Sequence, residues 1–193
     1  MAKAIAYTFI LVVALCVSAG EVTSTGSPTD FVRSSCGATR YPDLCFRCLA
    51  SYAPAVRHSE RQLARAALSV SVDRARSAST YVARVMAGAK SGNAKDAGAV
   101  KDCLENIADS VDQLRKSAEE LDRLGRVGSA DFTWHMSNVR TWCSSALTDE
   151  NTCLDSLSEH CSSAVRSTVR PKVVEVAQIT SNALALVNRV WSK

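Results

Sequence analysis

The feature that most constrains the fold is a regular spacing of apolar residues along two stretches, residues 100–121 and 169–190. In both stretches the spacing alternates between four residues and three. Because an α-helix has about 3.6 residues per turn, this spacing lines one face of a helix. The positions are Val100, Leu104, Ile107, Val111, Leu114, Ala118 and Leu121, and then Val169, Val173, Val176, Thr180, Ala183, Val187 and Val190. The pattern predicts two long helices whose seams lie in a shared core.

A further long helix is predicted ahead of the first seam, over residues 59–87. Ser59 is a favourable N-cap, Gly88 is a stop signal, and residues 90–98 are expected to form the following loop. Arginines recur every four residues near the start of this helix, and we expect them to be solvated or paired with acidic residues of the next helix. They are Arg57, Arg61 and Arg65.

The remaining long helix is predicted from about Asp131 past Cys153, with a break at residues 158–163. Its expected inward residues are Phe132, Met136, Val139, Trp142 and Leu147. No stretch of useful length alternates as a strand does. Four long amphipathic helices joined by short loops predict an all-α, up-and-down four-helix bundle.

Two short helices are predicted before the bundle, in residues 28–54. One lies near residues 30–35, and the other begins at Pro42, a favourable first helical position. A bond between Cys36 and Cys45 would close them into a helical hairpin. We therefore expect one domain, residues 28–193, with an N-terminal helical hairpin extension stapled by disulfides.

The first 20 residues have the composition of a secretory signal peptide. Lys3 precedes an apolar run over residues 4–17 that is too short to span a bilayer, and small residues follow at 17–19. We therefore expect a secreted, extracellular protein without a membrane partner. The formal net charge of +4 falls to +3 without Lys3, which is too weak to indicate a nucleic-acid partner.

The chain has 8 cysteines, and Cys16 belongs to the predicted signal peptide. Cys143 and Cys153 are ten residues apart, which is roughly 15 Å along a helix and too far for a bond between them. A Cys103–Cys153 bond would suit two antiparallel neighbouring helices. Seven remaining cysteines leave at least one thiol free or bonded between chains, so a disulfide-linked homodimer is an alternative.

No catalytic or metal-binding constellation is visible in the sequence. His58, His135 and His160 are scattered, and a zinc site including Cys153, His160 and Cys161 lacks the paired short spacings of structural sites. We therefore expect no enzymatic activity, no metal and no cofactor.

Four segments of the sequence resemble the plant invertase and pectin methylesterase inhibitor family. They are FVRSSCGATRYPDLC, CLENIADSVDQL, TWCSSALTDENTC and ITSNALALVN, and the resemblance covers essentially the whole predicted mature chain. It implies a four-helix bundle with an N-terminal hairpin and two disulfides. Carried over residue by residue, these are Cys36–Cys45 and Cys103–Cys153, which leaves Cys48, Cys143 and Cys161 outside the pattern.

The resemblance also implies that the chain binds a cell-wall enzyme and performs no chemistry itself. One branch of the family caps pectin methylesterase, and SALTDENTC and TSNALAL are closer to that branch. The other branch blocks acid invertase and uses a Pro-Lys-Phe motif, whereas here Pro171 and Lys172 are followed by Val173. A secreted bundle that binds only pectin or an apolar ligand is a second alternative.

Two polar helix faces are the predicted partner-binding surface, and the alternative is that the acidic one is only a solvated helix face. Helical spacing puts four acidic residues on one face, which we call the acidic stripe, and opposite charge would steer it towards a basic enzyme. The next helix adds hydroxyl-bearing and charged residues. The stripe is Asp102, Glu105, Asp109 and Asp112, and the second face is Arg140, Thr141, Ser144, Ser145, Thr148, Asp149 and Glu150.

Overall fold

The structure is a computed structural model that describes residues 26–88 and 94–191. Within these residues the chain forms seven α-helices and a short 3-10 turn at Ala50–Tyr52. The predicted signal peptide lies outside the described residues. The helices are α1 Pro28–Gly37, α2 Pro42–Leu49, α3 Ala53–Val56, α4 Glu60–Gly88, α5 Ala94–Asp122, α6 Ala130–His160 and α7 Ser163–Trp191.

The four long helices, α4 to α7, pack in a closed ring. Each helix contacts the next along the chain, and α7 returns to pack against α4. The predicted seams lie in the core that the ring encloses: Ile107 and Leu114 of α5 and Val173 and Val187 of α7 are fully buried. The predicted four-helix bundle is therefore confirmed.

The N-terminal hairpin of α1 and α2 packs on the α4–α7 side of the ring. Asn182 of α7 fixes it, because its Oδ1 accepts a hydrogen bond from the Tyr41 N–H at 3.0 Å and its Nδ2 donates to the Tyr41 carbonyl at 3.0 Å. At the start of α1, Ser27 and Asp30 cap each other's backbone in a capping box. The hairpin therefore leaves the outer surfaces of α5 and α6 for other contacts.

Both disulfides implied by the resemblance are present. Cys36–Cys45 joins α1 to α2, and Cys103–Cys153 joins α5 to α6 across 50 residues of sequence with a Cα–Cα distance of 4.2 Å. The other three cysteines of the described residues are unbonded. They are Cys48, which is half-buried, and Cys143 and Cys161, which are buried.

Two local predictions are wrong. The loop expected over residues 90–98 ends earlier, since α5 begins at Ala94. Asp96 stabilises that start, because its carboxylate accepts hydrogen bonds from Ser162 N at 2.6 Å and Ser162 Oγ at 2.8 Å and lies in the first turn, where the helix dipole favours negative charge. Arg57 does not belong to the first long helix: it ends α3 with a φ of 54°, and Ser59 then caps α4.

The other two arginines, Arg61 and Arg65, pair with α5, which was one of the two outcomes expected for them. Arg65 Nε lies 2.7 Å from Asp122 Oδ1. Arg61 donates to the backbone carbonyls of Asp122 at 2.8 Å and Leu124 at 3.1 Å, at the C-terminal end of α5. These contacts hold the start of α4 against the end of α5, where cations are favoured by the helix dipole.

Candidate partner-binding face

All four carboxylates of the acidic stripe are exposed along α5. Glu105 lies 3.5 Å from Lys101, and Asp112 lies 3.3 Å from Arg115, on the same helix. Pairs of this kind stabilise a helix by only about 0.2–0.5 kcal/mol. Asp102 and Asp109 have no salt bridge to any other described residue. Half of the stripe is thus balanced locally, and the other half presents uncompensated negative charge.

Asp109 marks the place where the polar faces of α5 and α6 meet. Burial and the nearby charge of Asp109 both raise the pKa of Asp149 on α6. The two neighbouring carboxylates repel each other, and a cation from a partner would relieve this repulsion. The Asp109–Asp149 junction therefore favours a partner that presents Lys or Arg.

The outer surface of α6 carries residues at steps of seven, which places them on one face. Trp134, Thr141 and Thr148 follow that spacing, and all three are exposed. Trp134 has 66% of its surface exposed, more than any other large hydrophobic residue described. Trp134 is absent from the predicted partner-binding surface, although its spacing of seven residues from Thr141 places it on the same helix face. An exposed indole on a helix face that also carries hydroxyl groups is typical of an anchor at a protein interface.

Arg140 is directed towards α7 rather than α5. Its Nε donates to Asn188 Oδ1 at 2.9 Å, and its guanidinium carbon lies 5.4 Å from the centre of the Trp191 ring. Thr141, Ser144, Ser145 and Thr148 line a shallow groove with Arg140, and Leu184 and Asn188 of α7 complete it. The polar residues predicted on α6 therefore face partly towards α5 and partly towards α7.

The prediction for Glu150 is wrong. It was expected on the polar face of α6, but it is fully buried. Its Oε1 accepts hydrogen bonds from Ser110 Oγ of α5 at 2.6 Å and Thr180 Oγ1 of α7 at 2.8 Å. Burial raises the pKa of Glu150 to about 7, although these hydrogen bonds oppose the shift and the charge of Asp149 adds to it. The seam of α6 runs 3, 4, 3, 4, 3, 4 through Met136, Val139, Cys143, Ala146, Glu150, Cys153 and Leu157.

Glu120 is a second buried carboxylate, in the last turn of α5. Its Oε1 lies 2.8 Å from His135 Nδ1 and accepts a hydrogen bond from Asn138 Nδ2 at 2.8 Å. Burial opposes ionisation, but these hydrogen bonds and nearby cationic charge hold the pKa of Glu120 below its usual value. His135 therefore serves an internal contact between α5 and α6.

Other interpretations can be compared with the described residues, 26–88 and 94–191. No three His, Cys, Asp or Glu residues among them are arranged to hold a metal ion, and Cys153 is committed to its disulfide. None of the helices in these ranges combines the length and apolarity that crossing a bilayer would require. Val173, at the position where the invertase-inhibitor motif has Phe, is fully buried.

The sequence profile of the family described as "Plant invertase/pectin methylesterase inhibitor" matches residues 30–186. "Pectinesterase inhibitor 9" of Arabidopsis thaliana is 45% identical, with 96% of this chain and 95% of that protein aligned. "Pectinesterase inhibitor 11" of the same plant is 38% identical over the full length of both chains, 100% in each case. The "21 kDa protein" of Daucus carota is 40% identical over 88% of each chain.

Solved structures give the same fold. The crystal structure of mutant form A of a pectin methylesterase inhibitor from Arabidopsis superposes with a TM-score of 0.64 at 18% identity, covering 84% of this chain and 97% of that one. A crystal structure of a pectin methylesterase inhibitor from Arabidopsis thaliana gives 0.56 over 82% and 95%. Profile and full-length relatives together establish that the chain belongs to the plant invertase/pectin methylesterase inhibitor family.

Proposed function

We propose that this protein is a secreted, non-catalytic inhibitor of plant pectin methylesterases. The observation that carries the proposal is its membership of the inhibitor family, together with relatives named pectinesterase inhibitors that are 38% and 45% identical over nearly the whole chain. The inhibitor acts by occupying the enzyme's pectin-binding cleft as a stoichiometric partner, so the polysaccharide is excluded.

The bundle supports this mode because its binding face is ordered before the partner arrives. The Cys103–Cys153 disulfide lies directly between α5 and α6, and both of its cysteines are fully buried. Ser117 Oγ adds an inter-helix hydrogen bond to the Val139 carbonyl at 3.2 Å. A face that is already rigid loses little conformational entropy on binding, which favours affinity.

The negative charges on the outer face of α5 and α6 favour binding to an enzyme surface that carries Lys or Arg. The unpaired Asp102 and Asp109 and the like-charged Asp109–Asp149 junction attract Lys or Arg, and Trp134 offers an apolar anchor about four turns away, nearer the start of α6. Thr141 and Thr148, on the same face of α6 as Trp134, supply hydroxyl groups for polar contacts between the anchor and the junction. The proposal thus assigns the binding energy to the junction and to Trp134.

The test is a titration of a plant pectin methylesterase with the purified protein, measuring methanol release from esterified pectin. We expect activity to fall to zero at about one inhibitor per enzyme, and no inhibition across several enzymes at mildly acidic pH would overturn the proposal. The same titration against acid invertase with sucrose separates the alternative target, since inhibition there alone would reassign the function.

A charge reversal tests the binding face. Asp109→Lys should weaken inhibition at least about tenfold, which is about 1.4 kcal/mol of binding free energy. It replaces a like-charge contact with an attractive one, so helicity should be kept. Asp73→Lys is the matched control, because Asp73 is an exposed aspartate of α4, which does not adjoin α6 in the ring. Equal effects of the two variants would remove the junction from the interface.

A further inference from the structure

The charges of the molecule are segregated between two halves of the bundle. The half made of the hairpin, α4 and α7, residues 26–88 and 163–191, has thirteen Arg and Lys against five Asp and Glu, a formal net charge of +8. Residues 94–162, with α5 and α6, have seven against thirteen, a net charge of −6. A protein with a modest total charge thus presents one strongly basic side and one acidic side.

The basic side contains two neighbouring grooves, one between the hairpin and α7 and the other between α4 and α7. One groove, of about 430 Å³, is lined by Arg40, Tyr41, Asp43 and Arg47 of the hairpin with α7 residues. A second groove, of about 150 Å³, lies between Tyr81 of α4 and Lys172 of α7. Both grooves include Glu175, so they adjoin. We call this surface the basic ledge: Arg40, Tyr41, Arg47, Arg74, Tyr81, Lys172 and Glu175.

The four cations of the basic ledge are accessible and outnumber the two carboxylates of its grooves, Asp43 and Glu175. Arg40, Arg47 and Lys172 are exposed and have no salt bridge to another described residue, whereas Arg74 lies 3.9 Å from Glu175. Burial raises the pKa of the half-buried Cys48 thiol, and the charges of Arg74, Glu175 and Arg47 also act on it. Those three side chains therefore gather around one point of the surface.

Aromatic rings accompany the cations at both ends of the ledge. The Arg40 guanidinium carbon lies 5.6 Å from the centre of the Tyr41 ring, and Lys172 Nζ lies 5.9 Å from the centre of the Tyr81 ring. A tyrosine ring offers a flat apolar face with a polar edge, which suits the face of a sugar ring. Arg and Lys beside it suit carboxylates attached to that sugar.

We propose that the basic ledge binds a linear polyuronate, the carboxylate-bearing form of pectin. The identity of the polymer rests on the proposed function, because hydrolysis of pectin methyl esters leaves carboxylates along the chain. The ledge lies on the α4–α7 side, and the acidic stripe lies on α5, so both partners fit the bundle together. The inhibitor is thereby retained on the de-esterified polymer while its acidic side faces the enzyme.

The test compares two triple variants of the full mature chain for binding to polygalacturonate at low and moderate salt. Arg40→Gln with Arg47→Gln and Lys172→Gln removes the free cations of the ledge. The control variant removes the same charge from exposed arginines outside it, through Arg57→Gln, Arg76→Gln and Arg84→Gln. Thermal unfolding establishes that both variants are folded.

We expect the ledge variant to lose at least about tenfold in affinity and the control to lose about threefold or less. Binding should weaken with salt and be absent with fully methyl-esterified pectin. Equal losses in the two variants, or no binding of the wild type to polygalacturonate at low salt, would overturn the proposal. Binding to anionic phospholipid vesicles in place of polygalacturonate would overturn it too.

The inhibition assay separates this inference from the proposed function. In initial-rate assays with highly methyl-esterified soluble pectin below saturation, the ledge variant should inhibit pectin methylesterase as the wild type does. Polygalacturonate binding by a wild type that inhibits no pectin methylesterase would refute the proposed function and leave the ledge standing. Inhibition without polygalacturonate binding would do the reverse.

Discussion

Replacing the buried carboxyl Glu150→Gln should change how the stability of the bundle depends on pH. The pKa of Glu150 is raised from 4.5 to about 7 in the folded chain, first by burial. Its Oε2 is buried without a hydrogen-bond partner among the described residues. Folding therefore takes up a proton, and the free energy of unfolding falls as the pH rises from about 4.5 to about 7.

The magnitude follows from the size of the shift. A difference of one pKa unit corresponds to about 1.4 kcal/mol, so a shift from 4.5 to about 7 costs the wild type about 3 kcal/mol above pH 7. For a chain of this size that is about 6–12 °C in melting temperature. The neighbouring Cys143 thiol, whose pKa is raised by burial and by the charge of Glu150, stays neutral over this range.

The assay is urea unfolding followed by circular dichroism between pH 4 and 9. Glutamine keeps the oxygen that accepts from Ser110 and Thr180 but cannot ionise, so its unmatched amide adds only a constant offset in stability. The wild type should lose about 3 kcal/mol more than Glu150→Gln between pH 4.5 and 8. Parallel curves for the two proteins would refute the reasoning.

Three further predictions concern the Cys103–Cys153 disulfide, the exposed Trp134 and the contact of Asn182 with the hairpin. Removing the Cys103–Cys153 bond with serines should lower stability by about 4 kcal/mol, because it closes a loop of 50 residues; a change under about 1 kcal/mol in urea unfolding would contradict this. Trp134→Ala should change stability by less than about 0.5 kcal/mol, since the side chain is exposed, yet weaken pectin methylesterase inhibition at least about tenfold; unchanged inhibition would remove the anchor. Asn182→Ala should cost about 2 kcal/mol, because both hydrogen bonds to the Tyr41 backbone are lost; an unchanged melting temperature would show that the hairpin is held otherwise.

The helices of the bundle could be predicted because the spacing of apolar residues along the sequence matches the period of an α-helix. Leu114 and Val173 sit in unbroken seams, and a helix that repeats apolar residues every three or four positions has only one face to bury. The pairing of the cysteines in two disulfides was predicted from the resemblance of four sequence segments to the family. Neither inference required any knowledge of which helices are neighbours around the ring.

The details that escaped prediction depend on contacts between distant parts of the chain. Glu150 can occupy a core position because Ser110 and Thr180, on two other helices, donate to it. The early start of α5 is likewise tied to Ser162, which lies 66 residues beyond Asp96. A polar residue in a seam has no local signal for its burial, since the hydrogen bonds that permit burial form only in the folded bundle.

The two buried carboxylates of the α5–α6 pair set opposite limits on stability. The pKa of Glu120 is lowered, so its hydrogen bonds to His135 and Asn138 contribute stability above about pH 4.5 that is lost as the pH falls further. The pKa of Glu150 is raised, so its contribution is complete below about 4.5 and is lost by about 7. Between them they favour a stability maximum on the mildly acidic side of neutrality. Glu120→Gln should therefore reduce the loss of stability below about pH 4.5, as Glu150→Gln reduces the loss between about pH 4.5 and 7, and an unchanged acid slope in urea unfolding of Glu120→Gln would contradict this.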